Sequence, residues 1–179
     1  MMNKLLIRKL QEAVELKSET AIEEQVQKIG VAKVIEAVPY LIALLKKTDN
    51  CNLRNIIALA LSDIGDQRAL EPLMALIKSK KTERCRGTLV YALQSLDCAS
   101  VLVDLVDLVI NGGFEVSCAA FNAIESIKSP YLSKEVELAC QKIEMAINSD
   151  HSFEPDQIER LKLLKHLFDS TYPLDDAPD

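Results

Sequence analysis

The chain has no tryptophan, and aromatic residues make up 4% of it against 49% hydrophobic overall. A core poor in rings must be built from aliphatic and small side chains. Ala and Leu dominate here, which suits close-packed helices better than sheets. Histidine is as scarce. His151 and His166 are the two in the chain, and neither has a second His or carboxylate at metal-ligand spacing, so both read as solvated surface side chains and no metal site is expected. No Gly-rich phosphate loop exists, because Gly112 and Gly113 are not followed by Lys-Ser/Thr. The adjacent carboxylates Glu23 and Glu24, and Asp175 and Asp176, read as solvated charge, since neighbours do not share a helix face. Taken together, these absences predict no catalytic residues and no cofactor.

Long apolar runs are missing too. Nothing approaches the roughly eighteen residues a membrane-spanning helix requires. The opening MMNKLLIRKL is broken by Arg8 and Lys9 and lacks a small-residue cleavage site, so it does not read as a secretory signal. The five cysteines (Cys51, Cys85, Cys98, Cys118, Cys140) are odd in number. With no Cys-x-x-Cys spacing among them, they predict reduced, mostly buried small apolar side chains in a cytoplasmic protein. Positive charge is outnumbered: 21 Lys and Arg against 27 Asp and Glu give a net charge of −6. That balance disfavours nucleic acid and is compatible with a basic protein partner. Lys78, Lys80 and Lys81 cluster near a helix end without the aromatic or arginine company of a nucleic-acid site.

The most informative stretch is 51–77, CNLRNIIALALSDIGDQRALEPLMALI. Leu53, Ile56, Ile57, Ala60, Leu61 and Ile64 recur at helical spacing. Gly65 and Asp66 then stop the helix, because glycine adopts the left-handed conformation cheaply. Ala69, Leu70, Leu73, Met74, Leu76 and Ile77 make a second helix, with Pro72 near its first turn. One such hairpin cannot bury both faces and needs copies beside it.

The copies are present. At a step of about 32 residues, Ile57, Ala60, Leu61 and Ile64 meet Leu89, Ala92, Leu93 and Leu96. Ala92, Leu93 and Leu96 in turn meet Ala123, Ile124 and Ile127 one step on. Leu70, Leu73 and Leu76 match Leu102, Leu105 and Leu108. Two helices per period define an α-solenoid. The chain then predicts helices over 3–17, 19–30, 32–47, 51–64, 67–78, 83–96, 99–110, 114–127, 131–147 and from Pro155 onward. Pro39 should kink or split the third. Asn50 and Thr82 are candidate caps. The fold class is all-α, a right-handed α-α superhelix of about ten helices in five antiparallel pairs. Residues 1–170 form one domain, and 171–179 form an acidic disordered tail.

Leu53, Arg54, Ala60, Leu61, Gly65, Asp66, Ala69, Leu70, Pro72 and Leu73 carry a recognisable pattern: an arginine, Ala-Leu at helical spacing, Gly-Asp, then Ala-hydrophobic-x-Pro-Leu. It resembles the short HEAT-like repeats, roughly thirty residues long, of the phycobilisome-lyase type. The next unit keeps Arg86, Ala92 and Leu93 but replaces Gly-Asp with Asp97 and Cys98. The third keeps Ala123 and Ile124 alone.

The resemblance implies a binding surface on the second helix of each pair, which lines the concave side. On that register the surface comprises Asn52, Asn55, Ile56 and Leu59, then Arg84, Thr88 and Tyr91, then Glu115, Ala119 and Asn122, with Glu24 upstream. Leu59, Tyr91 and Asn122 hold the same repeat position, and Tyr91 is the anchor by composition. The leading functional expectation is a non-catalytic protein–protein interaction module, with no nucleic acid or membrane partner, acting as a monomer or weak homodimer. One alternative is an immunity or inhibitor protein for a basic toxin. Another is a bilin-lyase-like chromophore-binding protein, as the resemblance implies.

Overall fold

A computed structural model describes residues 2–149 and 153–171. Ten α-helices appear in it: α1 Met2–Glu15, α2 Glu19–Val31, α3 Val38–Lys47, α4 Cys51–Ile64, α5 Leu70–Ile77, α6 Gly87–Tyr91, α7 Leu102–Asn111, α8 Phe114–Glu125, α9 Ser133–Ile147 and α10 Pro155–Thr171. There is no strand among the described residues. The expected tail, Thr171 apart, lies outside them, as does His151.

Short 3-10 turns lead into the first helix of three hairpins, at Ile35–Ala37, Gln67–Ala69 and Ala99–Val101. The proline expectation holds at the first of these. The segment read as one helix over 32–47 is split, with α3 beginning at Val38 and Pro39 in its first turn. Proline is tolerated there because the first N–H groups of a helix have no intrahelical acceptor anyway.

The chain divides into two compact units at Leu96 and Asp97. In the first, α1–α2, α3–α4 and α5–α6 pair as hairpins, and α2, α4 and α6 pack in sequence as one layer. Leu10, Val26, Ile29, Leu41, Leu45, Ile57, Leu61, Leu73, Ile77, Leu89 and Leu93 have no solvent exposure. Each such side chain contributes about 1.5–3 kcal/mol of burial. In the second unit α7 packs on α8 and α9, and α10 closes over α7, α8 and α9. Phe168 of α10 is fully buried and meets Tyr131 edge to face at 5.8 Å.

The helix ends follow local chemistry. Asn50 caps α4, its side chain accepting from the backbone N–H of Asn52 at 2.8 Å and Leu53 at 3.2 Å. Gly65 closes α4 with φ of 69°. Two lysines do a glycine's work elsewhere. Lys17 and Lys33 have φ of 53° and 49°. Each is flanked by a backbone bond reaching five residues back, Ser18 N–H to Ala13 and Val34 N–H to Ile29, both 3.1 Å. That is the Schellman closure, with a residue bearing Cβ at its left-handed position.

Several expectations are corrected. Gly30 does not end α2; it lies inside it and serves close packing against α4. Thr82 is not a cap: it is buried in a 3-10 turn and donates to the carbonyls of Leu76 and Ser79, while Ser79 accepts from the Lys81 N–H. The helix read over 83–96 shrinks to α6 followed by a 3-10 turn, Ala92–Ser95. Gly87 opens it, and glycine costs about 1 kcal/mol relative to alanine in a helix. Finally, not all cysteines are reduced. Stacking α4 beside the segment ahead of α6 joins Cys51 to Cys85 as a disulfide with Cα atoms 6.5 Å apart. Cys98, Cys118 and Cys140 form no disulfide with a described residue.

Candidate binding surface

Three successive second helices carry the predicted surface in the first unit. Glu24 on α2 is exposed and ion-paired to Lys28 at 2.6 Å; that hydrogen bond, and then the charge of Lys28, hold its carboxyl below the usual range. Asn52 on α4 is exposed and donates to Glu23 at 2.9 Å, and Asn50 donates to Glu19 at 3.4 Å. These two bonds tie α2 to the start of α4. Asn55 and Ile56 are half-buried, with the Asn55 carbonyl oxygen unpartnered. Leu59 is 40% exposed and Tyr91 53% exposed, so neither is consumed by packing between helices. Arg84 is exposed and lies ahead of α6, and Thr88 in α6 is half-buried.

In the second unit, Glu115 and Asn122 are exposed on α8, whereas Ala119 is buried at 7% exposure. α10 packs on α8 in this unit. Nearby, Phe114 is 70% exposed and lies under the Arg160 guanidinium, 5.5 Å from the ring centroid. Arg160 also donates to Ser117, which itself donates to the Val109 carbonyl at 3.0 Å.

The second unit also holds an open cleft of about 230 Å³. Ile110, Met145, Ala146 and Phe153 give it apolar walls, and Asp107 and Lys142, paired at 2.7 Å, give it one charge of each sign. No signal in the repeat pattern marks it, because its lining comes from α7, from α9 and from the residues Ser149 and Phe153 beyond α9. His166 is exposed on α10. No cluster of three potential metal ligands occurs among the described residues, and none of their helices is long and apolar enough to cross a membrane.

The first-unit layers define a class: stacked antiparallel helix hairpins with an open second-helix face. Residues 9–94 match the sequence profile of HEAT repeats. That segment is a HEAT-repeat array, and the all-α, HEAT-like solenoid class is the one its pattern predicts. Two curated relatives are informative. The bilin biosynthesis protein PecE of Mastigocladus laminosus is 29% identical over 125 residues, 70% of this chain and 44% of its own length. The bilin biosynthesis protein PecE of Nostoc sp. (strain PCC 7120 / SAG 25.82 / UTEX 2576) is 33% identical over 92 residues, 51% of this chain and 36% of its own. The chain thus spans less than half the length of either.

These names correct two expectations. The sequence alone points to a non-catalytic protein–protein interaction module and predicts no enzymatic activity. Both relatives are instead named for bilin biosynthesis, which favours the alternative that the repeat resemblance carried. The error has a physical origin. The absence of His clusters and phosphate loops excludes familiar catalytic constellations, but it says nothing against chemistry that a ligand would supply.

Proposed function

We propose that the chain is a bilin-lyase-like protein, which holds a bilin and serves its transfer to a protein acceptor. The observation that carries this reading is the pair of relatives named for bilin biosynthesis. The cleft between α7 and α9 supports it. A bilin is a flexible, largely apolar linear tetrapyrrole with propionate carboxylates and pyrrole N–H groups. The walls of Ile110, Met145, Ala146 and Phe153 suit its rings, Lys142 suits a propionate, and Asp107 suits a pyrrole N–H. At about 230 Å³ the cleft takes part of the tetrapyrrole and leaves the rest along its open mouth.

The acceptor polypeptide then lies along the face bearing Glu24, Asn52, Asn55, Ile56, Leu59, Arg84, Thr88 and Tyr91. HEAT repeats commonly mediate protein contacts, and the acidic residues Glu19, Glu23 and Glu24 on α2 favour a partner with a basic patch. The reading places this work in the cytoplasm.

Titration of the purified chain with phycocyanobilin tests it, followed by absorbance and induced circular dichroism. Binding should shift the visible band and induce optical activity, and Met145→Glu with Lys142→Glu should weaken the effect at least tenfold. No spectral change at excess bilin would refute the reading. Full retention in the double variant would remove the cleft from it.

A further inference from the structure

Arg54 is 1% exposed, the largest fully buried side chain in the described structure. Its Nη2 donates to the Thr48 carbonyl at 2.9 Å. Its Nη1 points to two sulfurs, Cys51 Sγ at 3.5 Å and Cys85 Sγ at 3.6 Å. Its Nε has no hydrogen-bond partner. Asp49 senses its charge but is ion-paired to Lys81 instead. A buried guanidinium without an anion is costly. In the disulfide, the sulfurs beside it carry no charge. In the dithiol, either can become the missing anion.

The two sulfurs are not equivalent. Cys51 is the first residue of α4, a helix of 14 residues, and its thiolate also gains from the positive end of that helix. Cys85 lies between a 3-10 turn and α6, without that advantage. Both are half-buried and within reach of a small reagent. Other charged groups flank the pair: Glu83, Arg84 and Arg86 on the Cys85 side, the Asp49–Lys81 pair, and Glu19 of α2 through Asn50.

We propose that Cys51 and Cys85 form a redox-active dithiol–disulfide site, with Cys51 the thiolate that Arg54 stabilises and a dithiol as the exchange partner. In reduction, a thiolate of the dithiol attacks Cys85 Sγ. The bond between the two protein sulfurs breaks, and its electron pair stays on Cys51 beside Arg54. The second thiol of the reagent loses its proton and attacks the mixed disulfide at the reagent's own sulfur. Cys85 leaves as thiolate and takes up a proton. Two electrons pass to the protein, and the reagent departs as a cyclic disulfide. Oxidation is the reverse. The site stands on geometry in the first unit and does not depend on bilin binding.

Two measurements on the full chain test it. First, the protein is equilibrated in mixtures of reduced and oxidised dithiothreitol, unfolded in acid, alkylated and weighed. The expected result is a two-electron transition that blocks and frees Cys51 and Cys85 together while the other three cysteines stay alkylatable. Alkylation of all five across every mixture would overturn the proposal. Second, iodoacetamide alkylation of Cys51 is followed against pH in the Cys85→Ser variant, which cannot form the disulfide. Its midpoint should lie at least about one pH unit below the 8.5 of a free cysteine, and Arg54→Gln on that background should raise it. A midpoint at or above 8.5 would also overturn the proposal, and this holds even if the Arg54 variant fails to fold.

Discussion

Gly30 of α2 sits directly against Ala60 of α4. A Cβ on Gly30 would lie 2.8 Å from the Ala60 Cα and 2.9 Å from its Cβ. The obstacle is backbone, so it cannot swing aside. Gly30→Ala should therefore destabilise the chain by about 1–3 kcal/mol, despite alanine's better helix propensity. Ala60→Gly on the same chain should recover part of the loss. A double-mutant cycle by urea unfolding checks both.

Lys17 and Lys33 run the other way. Each holds a left-handed backbone that costs a residue with Cβ about 1–2 kcal/mol, part of which glycine loses again through a freer unfolded chain. Lys17→Gly and Lys33→Gly should each stabilise by about 0.5–1 kcal/mol. Thermal unfolding of the two variants, singly and combined, reads the gain.

Asp66 reports on pH. Its hydrogen bonds, first from the Arg68 side chain and then from the Arg68 backbone, hold its carboxyl down to about 2. The folded value lies below the unfolded one, so the stabilisation is complete above the ordinary carboxylate range and is lost as pH falls through that range toward 2. Asp66→Asn keeps the capping oxygen and removes the charge. It should cost about 0.3–1 kcal/mol at pH 7 for so exposed a pair, and the gap from the parent should close between pH 4 and pH 2. Melting temperatures across that window decide it.

Ser117 is fully buried on α8 and bonded to the Val109 carbonyl of α7, with Arg160 of α10 donating to it. Ser117→Val puts two methyl groups where one hydroxyl stood, at a fully buried position, and leaves the Arg160 donor without its oxygen. A loss of about 1–3 kcal/mol is expected, against a smaller loss for Ser117→Ala in the roomier site. Chemical denaturation of both variants measures the difference.

Much of the fold was legible because hydrophobic spacing repeats. The ten helices fall where Leu, Ile and Ala recur, and Asn50, Gly65 and Pro39 act as their chemistry dictates. The misreadings share a cause: they depend on what lies across from a residue. Gly30 resembles a helix stop until α4 is placed beside it. Ala119 falls on the open face by repeat register, yet it is buried. Arg54 belongs to the repeat pattern and has Cys51 one turn back on its own helix, yet the second sulfur, Cys85, reaches it only through stacking. A step of 34 residues separates Cys51 from Cys85, two beyond the repeat step, and nothing in that offset announces a pair. The cleft uses faces that the repeat register leaves unassigned. Function was less legible still, because the familiar catalytic arrangements, a phosphate loop or a histidine cluster, do not occur in a chain whose relatives are named for bilin biosynthesis.

The 3-10 corners at Ile35–Ala37, Gln67–Ala69 and Ala99–Val101 have a consequence for how such a chain can change length. They recur at one constant stride, and the first two fall within the first unit. Within the first unit, a whole block added between the first two would keep the helix faces on either side in repeat register. A single residue inserted inside a helix would instead turn everything after it by about 100° and carry the apolar stripe into water. Growth by complete modules is thus the tolerant direction for this architecture, and drift by single insertions the intolerant one.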